Sequence, residues 1–456
     1  MSGLLGLLGL GAGAISAQNA GVAVSGRNTA NVNTEGYSQE RVDMNSVLGV
    51  PLVGGVLASD PQRYADDLLA GRERQSDAAG GRSGALASAL GALETNATSS
   101  DKVDIAQAIA TLFGGITKLA AAPTDQGQRS ALVGNGRSLA AAFRGQAQAI
   151  ASARQDSEGR IKDMSSQANA LAATIASANQ QLNVSKDPVL MDKRDLAARK
   201  LAEITGGQAR IDANGKMSFV IGGGAVLVDG DRAAQLRPST DAATGLSRIE
   251  IVDGKHVEDI TQRIDGGKLG GELEFRDVTS KKAADALDQL AFDFASRFNA
   301  VHQAGAAQDG STGHDFFQAP TQVAGAAAAF AVDSAVDADP SLIAAGAAGG
   351  AAGDNSNALA LADLANQKLA GGGSRTALDE AIHYVADIGQ AAGDAKSAND
   401  LDAAHADVLA SLRDSLSGVS IEDEVAKLAQ YQRASEAATR FVSTVNSMLQ
   451  NLIENL

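Results

Sequence analysis

From Ile421 to the end of the chain, apolar side chains recur on a seven-residue repeat, and no other stretch constrains the fold as tightly. With Ile421 at an a position, Leu428, Ser435, Val442, Leu449 and Leu456 follow at a, and Glu424, Tyr431, Ala438, Val445 and Leu452 stand at d. Only Glu424 and Ser435 break the rule. The spacing predicts a coiled-coil helix running to the last residue, with Ser420 as its N-cap and Asp423 and Glu424 as an acidic first turn. A single strand with a wet seam does not offset the entropy of ordering it, so this helix requires another.

The opposite end supplies one. Leu5, Leu8, Ala12, Ile15 and Val22 are spaced by threes and fours with Asn19 as the break, which predicts an amphipathic helix. It should stop in the stretch from Asn28 to Tyr37, where Asn, Thr and Gly compete with the helix through local hydrogen bonds. Pairing the two ends buries one face of each and leaves their outer apolar faces for neighbouring molecules. Ala12-Gly13-Ala14 also raises the question of a cleaved signal, but the first basic residue is Arg27, and Gln18 and Asn19 interrupt the apolar run. Recurrent glycine argues against a membrane span, and the lack of Lys and Arg in the run argues against an interfacial anchor.

Between the ends, residues 60 to 205 read as long helices, for example Ile105, Ile109, Leu112, Ile116 and Leu119, then Met164, Ala168, Leu171 and Ile175, with Pro123 and Pro188 in the breaks. From about 208 the period becomes two. Met217, Phe219 and Ile221 share a face after an Asn214-Gly215 hairpin signal, Val226 to Val228 follow three glycines, and Asp253-Gly254 signals a second hairpin. Helical spacing resumes with Leu287, Leu290, Phe294 and Phe298, and the Ala/Gly tract from Ala344 to Gly353 reads as a flexible loop, with an Ala-rich helix as the alternative. Aromatics are 3% of the chain and Trp is absent, so the cores must be thin Ala, Leu, Ile and Val stripes between closely packed helices. The expected fold is mostly α with a small β-rich insertion, elongated, with the N- and C-terminal helices paired as a coiled coil. Residues 1–59 and 416–456 form the terminal domain, 60–207 and 268–415 a helical-bundle middle domain, and 208–267 a β outer domain.

The formal net charge of -16 opposes nucleic acid and anionic membrane surfaces as partners. Without cysteine there is no disulfide, thiolate metal site or cysteine nucleophile. His256, His302, His314, His383 and His405 show no paired-ligand spacing, His314-Asp315 has no identified nucleophile, and Gly222-Gly223-Gly224 lacks the Lys and Ser/Thr of a phosphate loop. No catalytic residue, cofactor or metal is expected, and Asp192, Arg194 and Asp195 beside Lys193 and Arg199 read as solvated ion pairs on a helix, worth little individually.

Asn31-Val32-Asn33-Thr34-Glu35-Gly36-Tyr37-Ser38 resembles the N-terminal signature of flagellar rod, hook and hook-associated axial proteins, with Glu35 where proline is usual. Asn31, Thr34, Gly36 and Tyr37 carry that motif. Leu190-Met191-Asp192-Lys193-Arg194-Asp195-Leu196, then Gly271 to Arg276, Phe298 to Gly305, and Leu428-Ala429-Gln430-Tyr431-Gln432 are similar, in order, to segments of the hook-associated branch. Within that branch Asp192, Arg194 and Asp195 would hold the joint between helical and β parts.

The resemblance implies a structural, non-enzymatic subunit at the hook–filament junction. It implies a homo-oligomer in the axial assembly, in contact with the hook protein on one side and a second hook–filament junction protein on the other. It further implies a cytoplasmic flagellar export chaperone at the C-terminal segment, export through the flagellar secretion apparatus without a cleaved signal, and an extracellular location on the flagellum. The outer insertion is reduced relative to longer members. Leu5, Leu8, Ile15, Val22, Leu428, Tyr431, Val442, Val445, Leu449 and Leu452 are the expected assembly interface. The rival readings are another axial protein, flagellin-like or hook-like, and a secreted surface enzyme.

Overall fold

The computed structural model describes residues 2–47, 54–98 and 104–454; Leu456, the last a position of the repeat, lies outside the described residues. Helix α1 (Ser2–Ala30) is followed by four short strands, β1 (Glu40–Arg41), β2 (Met44–Val47), β3 (Gly55–Ala58) and β4 (Gln62–Arg63). β2 and β3 form a hairpin laid against α1, and β1 pairs with β4 to bring the chain back to the same level. Then come α2 (Asp67–Thr98), α3 (Ile105–Ala121), α4 (Gln126–Leu182) and α5 (Pro188–Thr205). Their limits follow from local chemistry. Asp104, Asp125 and Asp187 accept N-terminal backbone N–H groups, Pro188 sits at the first turn of α5, and Gly206 ends α5 in the left-handed conformation.

Two antiparallel sheets come next. Strands β5 (Gln208–Ile211), β6 (Met217–Ile221), β7 (Ala225–Asp229) and β8 (Arg232–Ala233) are paired in that order, and β10 (Ser247–Asp253) lies between β9 (Gln235–Thr240) and β11 (His256–Asp259). Met217, Phe219 and Ile221 do share a buried face. They meet Ile161, Ala168 and Ile175 of α4 and Ala198 and Leu201 of α5, so the β segment closes over the distal part of two helices.

Helix α6 (Gly267–Glu274) leads through a π-helical turn, Phe275–Thr279, into α7 (Ser280–Ala304). After α8 (Ser334–Ala338) and α9 (Ser356–Asp363), the long α10 (Ala377–Ser417) returns antiparallel to α2, and α11 (Ile421–Glu454) closes the chain. A second core joins α2, α3, the first part of α4, α7, α9 and α10. At its centre Phe294, Phe298, Phe316, Phe317 and Phe330 meet at ring-centroid distances of 4.8–6.4 Å, gathering a third of a small aromatic supply in one place.

The expectation of a flexible Ala/Gly loop at 344–353 is corrected in its first half. Ala344 and Ala345 are buried, the Ala344 N–H is donated to His302 Nε2 at 2.9 Å, and β13 (Gly346–Ala347) pairs with β12 (Gly305–Ala306). Small side chains let this backbone sit directly on α7 and α9, a use of alanine that a composition-based reading misses.

Candidate assembly interface and the joint that carries it

Helices α1 and α11 lie antiparallel along each other. Their contact is set by the smallest residues of α1. A Cβ added at Gly11 would strike Val442, and one at Gly21 would stand 2.8 Å from the ring of Tyr431. Ala17 and Val24 of α1 and Val445 of α11 are buried. The two polar interruptions of the repeats meet each other: Ser435 Oγ lies 3.4 Å from Asn19 Oδ1.

This geometry separates the residues expected at the interface into two groups. Val445, at 3% exposure, Val442 and Tyr431 are used inside the pair. Leu8, Ile15, Val22, Leu428 and Leu449 are half-buried, while Leu5, at 61% exposure, and Leu452 face outward. Ile421, Val425, Phe441, Met448 and Ile453 are exposed beside them, so the pair presents an uncovered apolar surface. Gly3–Ala30 is, among the described residues, the helix long and apolar enough by length and composition to cross a bilayer; here one side of it lies on α11.

The rod formed by the pair meets the body at a polar joint. Asn28, at the end of α1, donates to the Glu40 carbonyl and accepts the Glu40 N–H, each at 2.9 Å, and it also accepts from the Tyr37 hydroxyl. Arg27 binds the Glu40 carboxylate at 2.7 Å. Burial is the main force raising the Tyr37 hydroxyl pKa, and the nearby Glu40 carboxylate adds to it. Gly36 adopts a left-handed φ of +81°, with its missing side chain facing Leu196, which explains glycine in this turn. Glu35, at the position where proline is usual, makes an exposed ion pair with Lys200 at 2.8 Å.

Asp192 and Asp195 reach this joint from α5. Asp192 accepts the Ser38 N–H at 2.9 Å, and Arg63 bridges Asp192 at 3.0 Å and Asp195 at 2.7 Å. Burial pushes the Asp192 carboxyl upward against the pull of Ser38 and Arg63. Arg194 faces elsewhere, donating to the Gly215 carbonyl at 2.7 Å and to Asn179, which fastens α5 to the first hairpin of the β segment. Reading these three as solvated surface pairs is therefore corrected, since Asp192 and Arg194 are buried. Glu424, the heptad misfit, is 0% exposed and accepts from Gln39 at 2.7 Å and Lys427 at 2.9 Å. Burial opposes its ionisation, but these donors, with Ser25 and Asn28, hold its carboxyl below the usual range.

His302 is fully buried between the His314 carbonyl at 2.7 Å and the Ala344 N–H. His314 does have a hydroxyl within reach, Ser311 Oγ at 2.7 Å, which the sequence did not reveal; that hydroxyl donates to Asp309, so the carboxylate holds the serine proton instead of orienting the imidazole. Among the described residues no group of three or more His, Asp or Glu side chains is gathered as a metal site.

Comparison with known proteins places this geometry among related chains. Residues 90–317 match the family model described as flagellar hook-associated protein FlgK helical domain, and residues 414–455 match that of the flagellar basal body rod FlgEFG protein C-terminal region. Flagellar hook-associated protein 1 of Bacillus subtilis is 27% identical over 496 residues, covering 97% of this chain and 96% of that protein. Its Escherichia coli namesake is 28% identical over 320 residues, which span 66% of this chain and 58% of that protein. The structure of the flagellar hook junction protein FlgK from Burkholderia pseudomallei shares the fold, with a TM-score of 0.69 at 18% identity over 76% of this chain and all of that one.

Proposed function

The chain belongs to the flagellar hook-associated protein family, and on that premise we propose that it is a structural subunit of the hook–filament junction, connecting hook to filament and permitting the filament to grow. The observation that supports this reading best is the terminal rod. Its helices satisfy one another along a narrow seam and leave Leu5, Val425, Met448, Leu452 and Ile453 open to solvent. A stable apolar surface of that kind is completed by other molecules.

In this reading further copies of the chain cover the rod, with the hook protein on one side and a second junction protein on the other. A cytoplasmic export chaperone covers the C-terminal segment before assembly, and the protein passes through the flagellar secretion apparatus with α1 retained. Peptide mass mapping of the protein recovered from sheared flagella should therefore find Ser2–Ala30 present. The decisive test is deletion of the gene. Cells should still secrete flagellin but build no filaments, and antibody to the chain should label the tips of isolated wild-type hooks. A defect in the distal rod or in the hook would instead favour another axial role.

A further inference from the structure

The two hydrophobic cores are separate clusters strung on the same helices. On α4 one ends at Ile150 and the other begins at Ile161, and between α6 and α7 the boundary falls between Leu273 and Phe275. Among the described residues, no apolar side chain is fully buried between Leu69 and Ala89 of α2, between Ile150 and Ile161 of α4, or between Ala395 and Leu409 of α10. These stretches lie side by side. Ser88 of α2 and Arg160 of α4 border one groove, and Gly84 of α2 faces the Asn399 side chain of α10. The body therefore has a neck, a section that every long helix crosses without an apolar core.

What spans the neck is polar. Arg276, buried in the π-helical turn, reaches Glu158 of α4 at 2.8 Å and the Ser247 carbonyl of β10 at 2.9 Å. Arg154 donates to the Arg276 carbonyl at 3.2 Å, and Ser157 and Arg160 donate to the Glu272 carboxylate at 2.6 and 2.9 Å. A close-packed apolar core resists deformation, because any shift opens voids and forfeits contacts. Long arginine side chains have many rotamers and can follow a rotation of the parts they bridge while keeping their partners. Room for such a rotation is present as well. The groove among α2, α4 and α10 has a volume of about 580 Å³, and a second of about 280 Å³ continues it along α2 and α4, with Ser88 and Arg160 bordering both. The chain itself is weakened at the same level. A Cβ at Gly159 of α4 would meet nothing within 4 Å, and the helical ladder slips at Phe275–Thr279, where a π turn replaces the α pattern.

We propose that the neck is a hinge. The part built on the aromatic core swings relative to the part that carries the β segment, with the π-helical turn as the pivot and the groove between α2 and α4 opening and closing. The two cores move as rigid units, and the arginine bridges keep the section between them in register. The device belongs to the single subunit and does not depend on which molecules surround it. In an assembly it lets one part hold its contacts while the other changes angle.

The absence of cysteine makes a clean test available, spin labelling of the purified full chain. Val226→Cys with Ile382→Cys places labels at exposed positions on either side of the neck. Val189→Cys with Val226→Cys, and Leu359→Cys with Ile382→Cys, are control pairs at exposed positions within one part each. Dipolar distance measurements on frozen samples should give a distribution across the neck at least about twice as wide as either control. Ser88→Leu with Ser152→Leu fills the groove with apolar side chains and should narrow that distribution toward the control widths. Circular dichroism checks that each labelled protein is folded. A distribution across the neck as narrow as the controls would overturn the hinge. A broad one that the filled groove leaves unchanged, in folded protein, would overturn the neck as its seat.

Discussion

Gly21 and the ring of Tyr431 are so close that a methyl group at position 21 would stand 2.8 Å from ring carbons. Gly11 faces Val442 in the same way, whereas Gly26 has open space before it. Replacing a helical glycine by alanine ordinarily stabilises by about 1 kcal/mol. Here the sign should reverse. Gly21→Ala and Gly11→Ala are expected to push the two terminal helices apart, Gly11→Ala more so because the β-branched Val442 has little rotamer freedom. Gly26→Ala should be neutral or stabilising. Amide exchange across residues 421–454 measures this, and faster exchange in the first two variants alone is the expected pattern.

Arg63 bridges Asp192 and Asp195, all three side chains being largely buried, while Arg194 approaches Asp195 alone, at 3.6 Å. Removing Arg63 leaves two carboxylates in a poorly solvated joint, so Arg63→Ala should destabilise by ~3 kcal/mol or more. Arg63→Lys should recover only part of this, because a single ammonium cannot reproduce the planar fork across two acids. Urea unfolding of the three proteins decides it; equal stability of the lysine variant and the wild type would show that the bridge acts as a point charge.

The helices were readable because their caps and periods are local: Asp187-Pro188 announces α5, and the heptad announces α11. What escaped is what depends on the partner surface. The apolar pattern of α1 points to Leu5 and Ala12, yet Gly11 and Gly21 are where α11 comes closest, since a close helix approach selects absence of volume more than hydrophobicity. Glu424 and Ser435 look like defects in a one-dimensional repeat, yet Gln39 donates to Glu424 and Asn19 meets Ser435, both brought in by the fold, while Lys427 reaches Glu424 from the next turn of the same helix. Ser311 beside His314 is a loop geometry that no periodicity encodes.

His302 ties α7 to the segment around Ala344, and burial lowers its pKa from 6.5 to about 4, with the charges of His314, Asp315 and Arg129 acting around it. The folded protein therefore binds fewer protons here than the unfolded chain between those values. Stability from this group is complete above pH 6.5 and falls as the pH is lowered toward 4, by about 3 kcal/mol in all. Protonation also sets a ring N–H against the Ala344 N–H. Urea titrations at several pH values should show this slope, and His302→Phe should flatten it while lowering stability at neutral pH by ~1–3 kcal/mol through the unpaired Ala344 N–H.

Leu449 and Leu452 lie near the far end of α11, half-buried and exposed respectively. An aspartate at either position finds water nearby in the isolated subunit, so Leu449→Asp with Leu452→Asp should change the melting of the body by no more than surface substitutions do, about 0.5 kcal/mol. In the proposed assembly the same positions are covered, and two carboxylates there would be desolvated without partners, at a cost of several kcal/mol each. The double variant should accordingly fold, be secreted, and fail to attach to hooks. Hook attachment at the wild-type level, read by antibody labelling of isolated hooks, would mean that this end of α11 is solvated in the assembled structure and that the apolar surface of the rod serves some other contact.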